Sequence, residues 1–313
     1  MSQNNVKGRK FIWHHINGLD SADVEFLRTQ FQFHVLDFED LAQTNSIPKL
    51  DVYKHYLFAV FHIPRFSDGG RIITDDIEIF LGSEYLVTVT KRPFDALERF
   101  FLRASRNPKF RADVMGRDPA YLLYRILRVL FTQSHDVVEE LMTHVTKVED
   151  GVYNERDRAT TLELARIRRN VLFLRTSLDP ERVMLGNMIT MEREYLPPEA
   201  HVYFDDVRDI LDSMWAASDN IKQIIDGLFE VNEALLTHRT NEVMSIFTAI
   251  AAAFMPPTLV AGLYGMNVPW LPFIQHPLVV ALLLIISFFT TFCLFYLFQH
   301  RPYGHTVAPE HSR

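Results

Sequence analysis

From Val243 to His300 the chain has no aspartate, glutamate, lysine or arginine. A stretch so long without charge excludes an ordinary water-facing surface there. The charge is confined to the first 242 residues and the short tail. Cysteine is nearly absent. Cys293 is the only one and lies in an apolar run, so one chain can build neither a disulfide nor a thiolate metal centre. No H-E-x-x-H, Walker A or GxGxxG pattern occurs. Their absence argues against a zinc hydrolase, ATP drive and dinucleotide chemistry, so neither an enzyme nor an organic cofactor is expected. Basic charge does not dominate: the net charge of -7 gives no footing for nucleic acid. Residues 1–10 are polar and basic with no apolar stretch behind them, so no signal peptide is visible and the charged part is expected to stay in the cytoplasm.

What is present divides sharply. Residues 243–263 and 278–298 are two runs of 21 uncharged, mostly apolar residues. At 1.5 Å per residue each spans about 31 Å, enough for a hydrocarbon core of about 30 Å. The second is rich in Leu, Ile and Phe and suits lipid contact. The first carries Ser245, Thr248, Ala251, Ala252, Ala253, Thr258 and Gly262. Small residues let helices approach closely, and hydroxyls at membrane depth point to a water-facing side. The first run is therefore expected to line a path and the second to surround it. Pro256 and Pro257 remove helix donors and invite a bend. Two spans leave both ends on one side. The loop 264–277 has no Lys or Arg, whereas Arg239 and Arg301 flank the spans, so both termini are expected in the cytoplasm and the loop outside.

Upstream, Ile210, Met214, Ala217, Ile221, Ile224, Leu228, Val231 and Leu235 alternate by four and three, a heptad seam. No proline falls between Pro198 and Pro256, so one helix is expected from about Tyr203 to Tyr264. A helix begun by Asp118-Pro119 and another through Leu164, Ile167, Val171, Leu174 and Leu178 would form an antiparallel layer against it, separated by a turn at Glu149-Asp150-Gly151. Residues 11–16, 56–63, 71–81 and 85–90 read as strands, and 22–31 and 38–43 as short helices. The expected division is an α/β domain over 1–117, long helices and stalk over 118–242, a membrane part over 243–300, and a tail over 301–313. Acidic clusters at Asp37, Glu39 and Asp40, at Asp75, Asp76 and Glu78, and at Asp205, Asp206 and Asp209 are either solvated surface or cation ligands.

At the outer end of the first span stands Tyr264-Gly265-Met266-Asn267. The segment 241–267, NEVMSIFTAIAAAFMPPTLVAGLYGMN, resembles the CorA family of divalent-cation transporters. Weaker likeness runs through Leu36-Asp37-Phe38-Glu39-Asp40, Pro48-Lys49-Leu50 and Phe80-Leu81-Gly82. The resemblance implies an α+β integral membrane protein with a cytoplasmic α/β domain, long stalk helices and a two-helix transmembrane hairpin, assembled as a homopentamer in the cell (inner) membrane. Its substrate would be Mg2+, which would be transported and would also act as a regulator.

The resemblance also implies sites. Gly265, Met266 and Asn267 would form the selectivity filter. Asn241, Met244, Phe247, Met255 and Thr258 would line the pore. Mg2+ is small and sheds water reluctantly, so neutral oxygens such as that of Asn267 suit an ion that keeps its hydration shell. Gly265 would permit a tight turn aiming them at the axis. Gly265 and Asn267 also suit a plain helix C-cap. Asp206, with Asp95 as partner, would hold a regulatory Mg2+ between subunits. Two features depart from the family. The loop has no acid, where members often carry MPEL, and the tail offers His300 and Arg301 instead of a lysine cluster. A Zn2+, Co2+ or Ni2+ transporter of the ZntB-like branch, proton-coupled or outward, therefore stays open, as does a non-conducting membrane scaffold.

Overall fold

The computed structural model describes residues 3–43, 47–154, 158–266, 268, 272 and 276–299. The chain divides into two compact units, Met1–Glu230 and Val231–Arg313.

The first unit is built on six strands: β1 (Gln3–Lys7), β2 (Ile12–Asn17), β3 (Lys49–Val52), β4 (Tyr56–Phe66), β5 (Ile72–Gly82) and β6 (Tyr85–Thr90). Their order is β1-β2-β6-β5-β4-β3. Only β2 and β6 run parallel; the other neighbours are antiparallel. The β4–β5 hairpin turns at Ser67–Arg71, where Gly70 has φ of +68°, a value that favours glycine. Period-two alternation sorts the sheet's residues. Ile16, Phe58, Val60, Phe80, Val87 and Val89 form one buried cluster with Leu27 of helix α1 (Ser21–Gln30) and Phe38 and Leu41 of α2 (Val35–Ala42). Phe33 stacks on Phe80 with ring centres 4.0 Å apart. On the opposite face Trp13 is fully buried against Phe101 of α3 (Asp95–Arg106), and Phe61 meets Phe131 of α5 (Pro119–Asn154).

Local chemistry sets the helix starts. Asp20 caps α1 in a reciprocal capping box with Asp23, and Asn107 caps α4 (Pro108–Val114), whose first residue is proline. The expected turn at Gly151 is not there: α5 runs through it to Asn154, and α6 starts at Arg158 (Arg158–Thr190). One glycine costs a helix only about 1 kcal/mol, which the packing of Val145, Val148 and Val152 outweighs. Strands β1 and β3 and helices α3 and α4 are additions to the expected elements.

After a 3-10 turn at Pro198–Ala200, α7 runs unbroken over His201–Gly265. Within the first unit it buries Phe204, Val207, Leu211, Met214, Ser218, Ile221, Ile225 and Leu228, a heptad seam. The expected seam shares Met214, Ile221 and Leu228 with it, but Ile210, Ala217 and Ile224 are only half-buried. A second heptad stripe is thus left partly open. Three ion pairs tie α6 to α7: Arg168–Asp226 at 3.4 Å, Arg175–Asp219 at 2.5 Å and Arg182–Asp212 at 2.5 Å. Each step is seven residues on both helices, in opposite directions, as antiparallel packing requires. Trp215 lies within reach of Arg175 and Arg182, whose guanidinium carbons are 4.9 and 4.8 Å from its ring.

The second unit contains the rest of α7 and α8 (Pro277–Gln299). The apolar part of α7 is long and uncharged enough to cross a membrane. Phe254 of α7 meets Phe288 of α8 edge to face at 5.8 Å. Helix α7 continues through Pro256 and Pro257. By the helix pattern these prolines leave the carbonyls of Ala252 and Ala253 without donors.

Candidate functional site

The residues expected to line a path lie along the last turns of α7. At about 100° per residue, Asn241, Met244, Phe247, Met255, Thr258, Gly265 and Met266 fall within about 120° of helix arc. Asn241 and Thr258 are exposed, as are Met244, Phe247, Met255 and Met266. An open groove of about 890 Å³ gathers Met255, Thr258 and Met266 with Ala251, Ala252 and Gly262. Asn241, Met244 and Phe247 lie further back on the helix, outside it. Small side chains make the hollow; methionines and threonines edge it. The Thr258 hydroxyl donates to the Phe254 carbonyl at 2.7 Å, and that of Thr248 to Met244 at 2.8 Å. Each hydroxyl proton is thereby used within the helix, and the oxygen lone pairs stay free to accept.

Gly265 is the last residue of α7 and has no left-handed φ; among the described residues Gly18 and Gly70 do. A Cβ at Gly265 would meet nothing within 4 Å. Within one chain, then, neither backbone conformation nor space demands glycine at this position. The Met266 amide donates to the Leu263 carbonyl at 3.3 Å, and the Tyr264 hydroxyl ties the helix end to the Pro272 carbonyl at 2.8 Å. Asn267 lies outside the described residues, as do Trp270, His300 and Arg301. His276 is exposed ahead of α8.

The acidic residues part into three situations. Asp206, near the start of α7, accepts from the Tyr124 hydroxyl at 3.1 Å and pairs with Arg128 Nε at 3.0 Å. Asp95 is exposed at the first turn of α3. A second group adds Asp51, which sequence spacing missed, to Asp37 and Asp40 of the first acidic cluster; the three each offer an oxygen within 4.8 Å of the others. Lys49 bridges Asp40 and Asp51, while Asp37 is buried and accepts from Tyr53 at 2.8 Å and Tyr56 at 2.6 Å. Burial raises the Asp37 proton affinity, which the two tyrosine hydrogen bonds oppose. Strand β3 brings Asp51 to α2, a pairing that sequence separation hid.

The third situation is fully internal. Glu78 is buried and bound by Lys91 at 2.7 Å; burial raises its pKa and Lys91 opposes the rise. Glu181, one residue after Pro180 in α6, is also fully buried. Its Oε1 accepts the His62 amide at 2.6 Å, and its Oε2 has no hydrogen-bond partner among the described residues. Burial, with nearby Asp76, pushes its pKa well above the usual carboxylate range. Asp76 in turn faces His62 Nε2 at 3.4 Å.

An α/β unit continued by one helix into an apolar, charge-free segment with a hydroxyl-edged groove defines the class: a membrane transport protein. The family described as CorA-like Mg2+ transporter protein matches residues 8–301, and the chain belongs to it. The cobalt/magnesium transport protein CorA of Thermotoga maritima is 25% identical over 281 residues, covering 88% of this chain and 79% of its own. The protein of the same name from Methanocaldococcus jannaschii is 23% identical over 88% and 87% of the two chains. In fold, the complete structure of the CorA magnesium transporter from Methanocaldococcus jannaschii matches with a TM-score of 0.78 at 20% identity, over 93% of this chain and 91% of that one. The full-length CmaX protein matches with a TM-score of 0.70 at 18% identity, over 91% and 88%.

Proposed function

We propose that this transporter passes partly hydrated Mg2+ across the cell (inner) membrane through a central pore formed by several copies of its own chain. The observation that carries this is the uncharged groove of α7, lined up to Met266, with Gly265-Met266-Asn267 at that point of the sequence. One Asn267 per subunit would place a ring of amide oxygens at the mouth, able to hold the ion's water without trapping the ion. Met244, Phe247 and Met255 would form apolar constrictions, and Asn241 and Thr258 would offer oxygens between them. The carbonyls freed by Pro256 and Pro257 add acceptors on the same helix. Five subunits follow from the family resemblance. The half-buried stripe Ile210, Ala217 and Ile224 supports self-assembly, since it gives neighbouring stalks an apolar seam. In this reading 1–117 is the cytoplasmic α/β domain, 118–242 the helical layer and stalk, 243–263 and 278–298 the two spans, 264–277 the outer loop and 301–313 a cytoplasmic tail.

Asp206 and Asp95 would meet across a subunit boundary and bind a regulatory Mg2+ that favours the shut state. Arg128 and Tyr124 both hold Asp206 Oδ2, so a metal at that oxygen would compete with the arginine. A second reading, transport of Zn2+, Co2+ or Ni2+, is favoured by one observation: the outer loop carries no acid to gather hard cations.

Purified protein in liposomes loaded with a Mg2+-sensitive dye tests the filter. The parent is expected to admit Mg2+, with Zn2+, Co2+ and Ni2+ run in parallel to rank the ions. Asn267→Ala should abolish the flux or reorder that ranking. An unchanged rate and order in the variant would remove Asn267 from the account.

A further inference from the structure

Helix α6 is fastened to the sheet at two polar points. Strand β3 covers β4 only at residues 57–60, so beyond Val60 the outer edge of β4 is left to other partners. Asn170 of α6 serves the start of β5: its carbonyl oxygen accepts from the Ile72 amide at 3.3 Å, and its amide donates to the Gly70 carbonyl at 2.9 Å. About 16 Å further along the helix, Glu181 Oε1 accepts the His62 amide on the β4 edge at 2.6 Å. The first fastening cannot titrate; the second can.

Glu181 is fully buried, its Oε2 has no hydrogen-bond partner among the described residues, and no cation offsets a charge there. From β4, the His62 ring faces Asp76 at 3.4 Å; from β5, Asp76 acts on Glu181 as a like charge. Lys49 of β3 is held by Asp40 and Asp51, and Lys91, past β6, by Glu78. On α6 itself, Arg182 turns to Asp179 at 3.5 Å and to Asp212 of α7 at 2.5 Å. No charge of α5 acts on the site among the described residues. A neutral Glu181 therefore suits this place, because it accepts the His62 amide without bringing a charge into a closed interior.

The helix is weakest one residue earlier. Pro180 lies inside α6 and has no amide hydrogen, so by the helix pattern the Thr176 carbonyl has no donor. Past Pro180 the helix is held by burial of Met184, Leu185 and Met188, by Glu181, and by the Arg182–Asp212 pair. The Arg168–Asp226 and Arg175–Asp219 pairs lie before the proline. An opening at Pro180 would thus cost one tie to α7 and keep two.

We propose that Glu181 is a proton-operated latch: protonated, it closes residues 181–190 of α6 on the β4 edge, and ionised, it lets that segment open at Pro180 and frees Asp212 of α7 from Arg182. The latch does not depend on which ion the protein conducts. Hydrogen exchange of the full-length protein in detergent micelles, read by mass spectrometry across pH and corrected for intrinsic rates, tests it. An exposed glutamate ionises near 4.5, and the closed site does so well above that. Between the two values, protection of the His62 amide and of residues 181–190 should fall about tenfold per pH unit, because the open form binds fewer protons. Residues 85–90 in the sheet and 164–174 of α6 should keep their protection. Glu181→Gln should hold residues 181–190 closed at every pH. Asp76→Asn removes the like charge, so the fall should end at a lower pH and be smaller in total; this variant carries the test if the glutamine variant does not fold. Three results would overturn the proposal: protection of 181–190 that ignores pH in the parent, the same fall in Glu181→Gln, or a fall of 85–90 in step with 181–190. The last would make Glu181 a group of global stability and not a latch.

Discussion

Asp206 shows how one side chain's neighbours decide what it can do. The carboxylate expected to take a metal is bound by Arg128 and Tyr124 within its own chain. Both members of the ion pair are about half exposed, at 45% and 53% for their side chains, so the pair itself contributes at most about 1 kcal/mol. Arg128→Ala should therefore leave the melting temperature nearly unchanged and raise the apparent Mg2+ affinity of the first unit. Metal-dependent thermal shift checks both. Glu181 is the opposite case, a fully buried acid with one unsatisfied oxygen. Its folded-state pKa is raised, so it favours folding below the ordinary glutamate value of 4.5 and loses that contribution as pH climbs through the raised value. Glu181→Gln should be more stable than the parent at neutral pH, because the amide carries no charge to desolvate at this fully buried position. The gap should close as pH falls to 4.5 and below. Thermal unfolding across that range reads it directly. His15 needs no such relief. Burial drops its pKa to about 4, so it stays neutral and shares the Thr88 hydroxyl with Trp13.

At the scale of elements, long helices were legible in the sequence and their partners were not. The proline-free interval and the four-three spacing announce α7 within two residues at its start and one at its end. Which seam it buries was off by one residue at Ile210, Ala217 and Ile224. Two apolar stripes lie side by side there, and the choice belongs to α5 and α6, which spacing along α7 cannot reveal. Helix α3 had a usable signal in Leu97, Phe100, Phe101 and Ala104, spaced three, one and three. Its many charges masked that pattern. Strands β1 and β3 pair at the two edges of the sheet and are too short to announce themselves. The arginine–aspartate register between α6 and α7 likewise needed the structure, because only antiparallel packing turns Arg168, Arg175 and Arg182 into partners of Asp226, Asp219 and Asp212. Trp215 sits among those pairs, and Trp215→Ala should cost about 2 kcal/mol, from lost cation–π contacts of about 0.5–1 kcal/mol each and lost apolar burial. A fall in melting temperature without loss of helix content by circular dichroism would match.

For the whole molecule, the family and its two-part architecture were readable from a charge-free end and a short motif. The candidate pore residues came from the family resemblance, and helix period places Asn241, Met244, Phe247, Met255 and Thr258 on one face of α7. The full Asp37, Asp40 and Asp51 group was not readable, since β3 assembles it through space. In the proposed function the pore would form only where copies of α7 surround a common axis. Its working can be read from ion movement. Protein reconstituted in liposomes, given a K+ gradient and a K+ carrier to set the voltage, should admit Mg2+ when the interior is negative. Entry should slow or cease when the gradient is reversed. Mg2+ entry equal to that of empty liposomes at every voltage would contradict the account.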